Sequence, residues 1–490
     1  MRPIVMETLE GFPNPPAMGS GGRSPPSPYA RIADLRAGFE EKLQALVEAP
    51  SVSMEPQRRA DIDRCARLGG EYLQQIGAQV SMIDTGGFPL VLGRITRDPS
   101  YPTVTIYNHL DVQPADPAEW KTPPFTFTRD GDRYRGRGTT DDKGPALTAL
   151  YGARLALEED VRLNIQFLWE LEEEIGSPHF ETGLRKAVAE GFATDSVVVS
   201  DTIWIAAGRP AIPYGLRGLL GFTIHLRTGA KDVHSGTTGG AARNPIGELG
   251  ALIAKMYDAR TGRVKIPGFY SDVRRLGAAE RRGFARAGFS RKRFMAAHEL
   301  RGVRFKEDAR LMEAIMAAPT LEVHGIVGGY AGPGVKTIVP HAAEAKLSCR
   351  LVPDQDPAEI FAQVKRFVRR YCPDAEVRHE ATLEPYIGDR GGPYNEAAAA
   401  AVAESFGQKP AFTREGGSIG AVLTMRRWLN APIVFLGLSL PEHGYHAVDE
   451  NYDWGQSSGG MEMFCRYFHK LAAIAPRPVA RASRRGRIST

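Results

Sequence analysis

Apolar residues recur at helical spacing from Tyr29 to Val47, at Ile32, Leu35, Phe39, Leu43 and Leu46, and predict an opening helix. A second helix is predicted from Asp61 to about Gln75. Short apolar runs then alternate with helices. The runs are Thr103–Tyr107, Leu163–Trp169, Ser196–Ser200 and Pro432–Leu438, rich in Val, Ile and Phe. Most are apolar throughout, as strands buried on both faces of a mainly parallel sheet are. Pro145–Glu158 fits between them as a helix with proline at its start. The middle of the chain differs. Gly221–Arg227 and Glu344–Leu351 alternate apolar and polar residues, as half-covered antiparallel strands do. Helical stretches lie at Asn244–Tyr257 and Asp356–Arg370.

The pattern predicts an α/β protein: a mainly parallel sheet with flanking helices, plus an inserted α+β domain. The main domain is expected over 29–212 and 387–474, and the insertion over 213–386. Of the 490 residues, 42% are hydrophobic and 24% charged, which excludes disorder of the whole chain. The net charge of +5 matches the five arginines of 475–490, a segment without acid. The body is therefore balanced, and nucleic acid is not expected as a partner. Residues 475–490 read as a basic disordered tail and 1–28, half Pro, Gly and Ser, as a disordered leader. No run approaches the ~18 apolar residues of a membrane span, and no apolar signal-peptide core is visible. The four cysteines are far apart without a CxxC pair, so a reducing, cytoplasmic setting is expected. Arg274 to Arg304 holds ten Lys/Arg against two Glu and reads as a solvated helical face.

The chemistry follows the strands. After the first buried run comes Asn108-His109-Leu110-Asp111, and after the second Glu172-Glu173-Glu174. Asp201 follows the third, and Pro441-Glu442-His443-Gly444-Tyr445-His446 the fourth. Open parallel sheets bind ligands at the carboxyl ends of their strands. Each group alone is ordinary: a hydrogen-bonded pair, an acidic turn, a helix cap, a loop histidine. Together they form a His and carboxylate set of the kind that holds zinc or manganese. Gly136–Pro145 is a glycine-rich loop without the phosphate-loop pattern, and it presents Asp141 just before a helix.

Asn-His-Leu-Asp-Val-Gln-Pro, Gly-Arg-Gly-Thr-Thr-Asp-Asp-Lys-Gly-Pro and Glu-Glu-Ile-Gly-Ser, with Asp201 and His446, resemble the signatures of one family. It is the dinuclear metal exopeptidases that include nonspecific dipeptidase, carnosinase, aminoacylase and carboxypeptidase G. The resemblance spans about residues 30 to 472. Tyr214–Gly218, Asp232–Gly236, His324–Ile326 and Arg414–Ser418 look like the dipeptidase and carnosinase branch. Ala447-Val448-Asp449-Glu450 departs from that branch.

The resemblance implies that His109, Asp141 and Asp201 hold one divalent ion and Asp141, Glu174 and His446 a second. Zinc comes first, with manganese or cobalt as alternatives. Such ions, with a bridging hydroxide, would neutralise Asp141, Glu174 and Asp201, and a neutral cluster is easier to bury. The resemblance also implies a cis peptide between Asp141 and Asp142. It makes Glu173 the general acid/base, while Asp111 is suited to orient His109. It places His234 of the insertion in a neighbouring subunit's site, which implies a homodimer joined through that domain. Gly221–Arg227 would supply pairing there if it lies at an exposed sheet edge. Arg350 suits a terminal carboxylate, and Thr337, Gly417 and Ser418 look like further substrate contacts. The implied reaction is hydrolysis of dipeptides or short peptides; the alternative is deacylation of N-acyl amino acids. A catalytically silent relative would have lost Glu173 or a ligand, and none is missing.

Overall fold

The computed structural model describes residues 28–474. The leader up to residue 27 and the tail from 475 lie outside the described residues. The central sheet has six strands in the order Gln79–Ile83, Leu90–Ile95, Asn164–Glu170, Thr103–His109, Ser196–Val199 and Ile433–Phe435. The last four run parallel; the first two join antiparallel. Those two strands were not anticipated from the sequence, and Leu90–Ile95 places Gly93 against the helix Arg59–Gln75.

Both faces are covered, which explains the continuous apolar runs. Val104, Ile106, Ile165, Phe167 and Val198 join one core with the helices Arg36–Val47, Lys143–Glu158 and Trp454–Ala472. Tyr107, Leu168, Val197 and Val199 join the other with Phe180–Ala189 and Gly420–Leu429. The opening helix is shorter than predicted: Pro28–Leu35 winds as a tighter 3-10 turn before Arg36–Val47 begins. The helix predicted from Pro145 begins two residues earlier, at Lys143, directly after Asp142.

A second sheet of four antiparallel strands follows the order Thr320–Gly328, Ala342–Leu351, Gly218–Arg227 and Glu376–Leu383. Leu220, Phe222, Ile224 and Leu226 alternate onto one face, where the helices Pro245–Met256 and Pro357–Tyr371 bury them. Gly218–Arg227 is therefore an interior strand, bonded on both sides. This rules out the unpaired edge on which pairing across subunits would depend; alternation reports one covered face and says nothing about edges. A three-stranded sheet links the two layers, with Ala211–Leu216 between Tyr386–Ile387 and Ala411–Glu415.

The helix behind the glycine-rich loop is pinned by close packing. A Cβ at Gly152 would lie 2.4 Å from Phe464 Cβ and 3.0 Å from the Met461 carbonyl oxygen. Gly152 permits the approach of Lys143–Glu158 and Trp454–Ala472. Gly152→Ala should lower stability by about 1–3 kcal/mol through overpacking. Urea unfolding checks this; an unchanged midpoint would show that the two helices are free to separate.

Candidate metal centre

Each of the four parallel strands delivers polar groups from its carboxyl end. Thr103–His109 ends in His109 itself, and Asn164–Glu170 leads into the tight turn Glu173–Ile175. Ser196–Val199 precedes Asp201. After Ile433–Phe435 the chain turns through Pro441–His443 to His446, which adopts φ +54°. These residues meet with Asp141 in one cluster. His109 Nε2 lies 3.0 Å from Asp141 Oδ1 and 3.9 Å from Asp201 Oδ2. His446 Nε2 lies 3.1 Å from both Asp141 Oδ2 and Glu174 Oε2. Asp141 thus stands between the two imidazoles. The Asp141–Asp142 peptide is cis.

Asp142 also lies near His109 and Asp201, with one ligand atom of each within 4.8 Å of the others. Its own contacts argue for a structural role. Asn108 Nδ2 donates to Asp142 Oδ2 at 2.7 Å, and burial pushes this carboxyl well above the usual carboxylate range.

Asp111 is the clasp of the site. It is fully buried. The backbone N–H groups of Glu173 and Glu174 donate to its two carboxylate oxygens at 3.1 Å, and Ser53 Oγ donates at 2.7 Å. His109 Nδ1 faces the Asp111 main-chain oxygen at 3.1 Å and its carboxylate at 3.4 Å. One side chain therefore sets both the imidazole and the acidic turn.

Sequence reasoning missed a second clasp, Glu450. It is buried and accepts from Arg137 Nη1 at 2.9 Å and from the backbone N–H of Gly138, Thr140 and Asp141 at 2.9, 2.8 and 3.1 Å. It shapes the glycine-rich loop around Asp141. Gly138 adopts φ +89° there, where a Cβ would also lie 2.7 Å from Val112 Cγ1. Gln113 Nε2 donates to Glu174 Oε2 at 2.6 Å, and the Tyr445 hydroxyl to Asp201 Oδ1 at 2.8 Å. Both sit in the quoted motifs, yet no spacing rule marks them.

The residues fit divalent cations. Asp141 Oδ2 and Glu174 Oε1 are buried without an aligned hydrogen bond; His446 meets Asp141 Oδ2 only as an ion contact. Burial alone would raise Asp141, but the His109 and His446 imidazoles hold it below the usual range. Burial pushes Glu173 well above that range; the His109 cation opposes this, while Asp201 and Glu174 add repulsion. Burial works against charge on His446, yet Asp141 and Glu174 push it up to about 11. In the metal-free cluster, protons on the imidazoles do part of a cation's work.

The proposed substrate contacts fall into two groups. Arg350 Nη1 donates to Ser418 Oγ at 2.9 Å, and Gly417 lies beside them, accepting from the Arg217 N–H at 3.1 Å. His234 and Thr337 share a two-stranded ribbon in which the neighbouring Ser235 N–H donates to the Thr337 carbonyl at 3.0 Å. Both are exposed. No contact among the described residues joins His234 to the metal cluster of its own chain.

Residues 105–470 match the model of peptidase family M20/M25/M40. The chain belongs to this family. It is 30% identical over 449 residues to the human Beta-Ala-His dipeptidase, covering 87% of this chain and 88% of that protein. It is 30% identical over 469 residues to the Cys-Gly metallodipeptidase of Schizosaccharomyces pombe, covering 91% and 98%. A solved dipeptidase from Saccharomyces cerevisiae superposes with a TM-score of 0.82 at 27% identity, covering 91% of this chain and 98% of that one. The name of the Schizosaccharomyces pombe relative makes it a metal enzyme, and the cluster described above groups residues that could hold a metal ion.

The neighbouring carboxylates raise the His109 and His446 imidazoles in the metal-free cluster, so a cation that binds them competes with protons. Zinc loading near pH 7 should release protons, and affinity should fall as pH is lowered. Calorimetry in buffers of different ionisation enthalpy reads this directly. Affinity unchanged between pH 7 and pH 5 would mean that the imidazoles are not ligands.

Proposed function

We propose that this member of the family is a metal-dependent dipeptidase with a dinuclear centre. The observation that carries the reading is the cluster at the ends of four parallel strands, in which Asp141 Oδ2 and Glu174 Oε1 are buried without an aligned hydrogen bond. His109, Asp141 and Asp201 would hold one ion, and Asp141, Glu174 and His446 the other, with zinc the best match to the His and carboxylate set. Bound ions of this kind lower the pKa of a shared water and polarise a carbonyl oxygen.

The chain's own groups do the rest. Glu173 follows Asp111's clasp and precedes ligand Glu174, so its carboxylate stands beside the cluster without being required as a ligand. It takes the proton of the attacking water and returns it to the leaving amine nitrogen. Burial raises its carboxyl pKa, which makes the ionised form a stronger base, and the charge of bound cations would keep it ionised. Arg350, braced by Ser418, receives the substrate's terminal carboxylate with its guanidinium fork. Gly417 shapes that corner and Thr337 supplies a further polar contact. The names of the dipeptidase relatives favour a peptide over an N-acyl amino acid as substrate.

The proposed unit is a homodimer, with 213–386 as an inserted lid and dimerisation domain on a catalytic domain of 29–212 and 387–474. His234 motivates it: exposed on its ribbon, it would donate to the developing oxyanion in the partner's site. The four buried thiols Cys65, Cys349, Cys372 and Cys465 support a reducing, cytoplasmic setting. Among the described residues, no helix is long and apolar enough to cross a membrane.

Glu173→Gln should cut kcat for a dipeptide by about 10²–10⁴-fold with metal content intact. Retention of more than roughly a tenth of the rate removes Glu173 from the mechanism. N-acetyl amino acids in the same assay test the acyl alternative. A mixing experiment tests the dimer. Inactive His234→Ala and Glu173→Ala chains, allowed to exchange subunits, should regain part of the activity, since one mixed site keeps both groups. No recovery despite proven exchange returns His234 to its own chain.

A further inference from the structure

The uncovered face of the four-stranded sheet carries Glu322, His324, Ser348 and Arg350. These residues line a cavity of about 1400 Å³ whose far walls come from the arginine-rich stretch. The cavity is lined by seven arginines and one carboxylate, Glu322. Arg217 and Arg350 form its floor. Arg260, Arg263, Arg275, Arg304 and Arg310 come from the far walls. The stretch that read as a solvated face therefore contributes two of its arginines, Arg275 and Arg304, to a concave site.

The charges are largely unanswered. Arg304 meets Glu322 at 3.5 Å, and Arg310 meets Glu313 at 3.6 Å; both contacts are exposed and weak. Among the described residues, no carboxylate pairs with Arg217, Arg260, Arg263, Arg275 or Arg350. Arg217 Nε donates to the Gly416 carbonyl at 2.8 Å, and Arg350 donates to Ser418, so the floor is held by neutral acceptors. Burial depresses both guanidinium pKa values, with Arg350's charge adding to the effect on Arg217. Two neighbouring cations held by neutral groups are stabilised by an incoming anion.

The site is anchored, and its Arg350 corner adjoins the loop that meets the acidic turn. Leu276, Phe284 and Met312 pack the arginine-rich stretch against Ile205 and Ala211, and Glu280 ties it to Tyr214 and Arg414. On the other side, the loop beyond Ser418 presses on the turn that carries Glu174. A Cβ at Gly420 would lie 2.8 Å from the Gly176 carbonyl oxygen.

We infer that this cavity is a second anion subsite, which selects dipeptides whose C-terminal residue carries an acidic side chain. The inference rests on the dipeptidase reading above, with Arg350 at the terminal carboxylate. The side-chain carboxylate then enters the arginine-lined space beyond it. The volume exceeds the ~300–1,000 Å³ of ordinary ligand sites, so the charged group fits together with bridging water. The exposed Arg263 and Arg304 line that space, and the floor arginines, which Glu415 and Glu322 answer only in part, gain a further counter-charge.

Ala-Glu and Ala-Gln differ by one charge at nearly constant shape. With the metal-loaded full chain, kcat/KM for Ala-Glu should exceed that for Ala-Gln by about tenfold, chiefly through KM, and the ratio should shrink as salt is raised. Arg263→Gln combined with Arg304→Gln should bring the ratio toward one. A wild-type ratio of one, or a ratio unchanged in the double variant, overturns the subsite. Inorganic phosphate is the competing source of negative charge: phosphate binding without preference for Ala-Glu overturns the substrate assignment. Ala-Gly separates the two readings. If no dipeptide is turned over, the dipeptidase reading fails, and calorimetry of Ala-Glu against Ala-Gln judges the subsite. Tighter Ala-Glu then upholds it; equal or absent binding overturns it.

Discussion

Mutual repulsion among buried carboxylates is the constraint on which the structure depends. Asp141, Glu174 and Asp201 converge with Glu173 in a space from which water is largely excluded. Such an assembly survives only if cations answer it and if the side chains cannot move apart. The fold meets both needs. Imidazoles from opposite ends of the chain supply the first answer, with His109 and His446 meeting at Asp141. Two further carboxylates supply the second, and they do so as acceptors rather than ligands. Asp111 gathers the acidic turn and Glu450 gathers the glycine-rich loop, each through backbone N–H groups. The carboxylates that hold the site are thus chemically the same as those that form it. They differ in partners: backbone donors stabilise the former, and the latter keep oxygens free.

The parallel strands and the groups at their ends were legible because burial on both faces leaves only apolar residues between the turns. Val197, Val198 and Val199 point alternately into two cores, and each must be apolar for its own reason. The ligands and Glu173 then stand out as polar residues at the first positions the sheet releases. Gly221–Arg227 was legible as half covered, and Leu220 to Leu226 show why. Its place within the sheet was not legible, because the strands beside it carry weaker patterns. Thr320–Gly328 buries only Leu321, and Glu376–Leu383 is interrupted by a register shift between His379 and Ala381. Glu450 escaped because its partners are about three hundred residues away in sequence, and one-dimensional spacing cannot report such contacts.

The division of labour between the two sheets explains where rigidity is placed. Metal chemistry needs ligands fixed against their own repulsion, so it sits on the sheet buried on both faces. Recognition needs reach, so Arg350 is presented from the open face of a sheet covered on one side only. The corner where Arg350, Ser418 and Arg217 meet joins the two layers by hydrogen bonds. On the proposed reading, a substrate gripped there by its terminal carboxylate would lie near the acidic turn, because the same loop packs against Gly176. Binding energy collected at the guanidinium floor can therefore orient a scissile bond that the ligands themselves never grip. On the proposed reading, His234 completes the division. The group that answers the oxyanion is carried on an exposed ribbon and arrives with the partner subunit, so assembly of the dimer also closes the site to water.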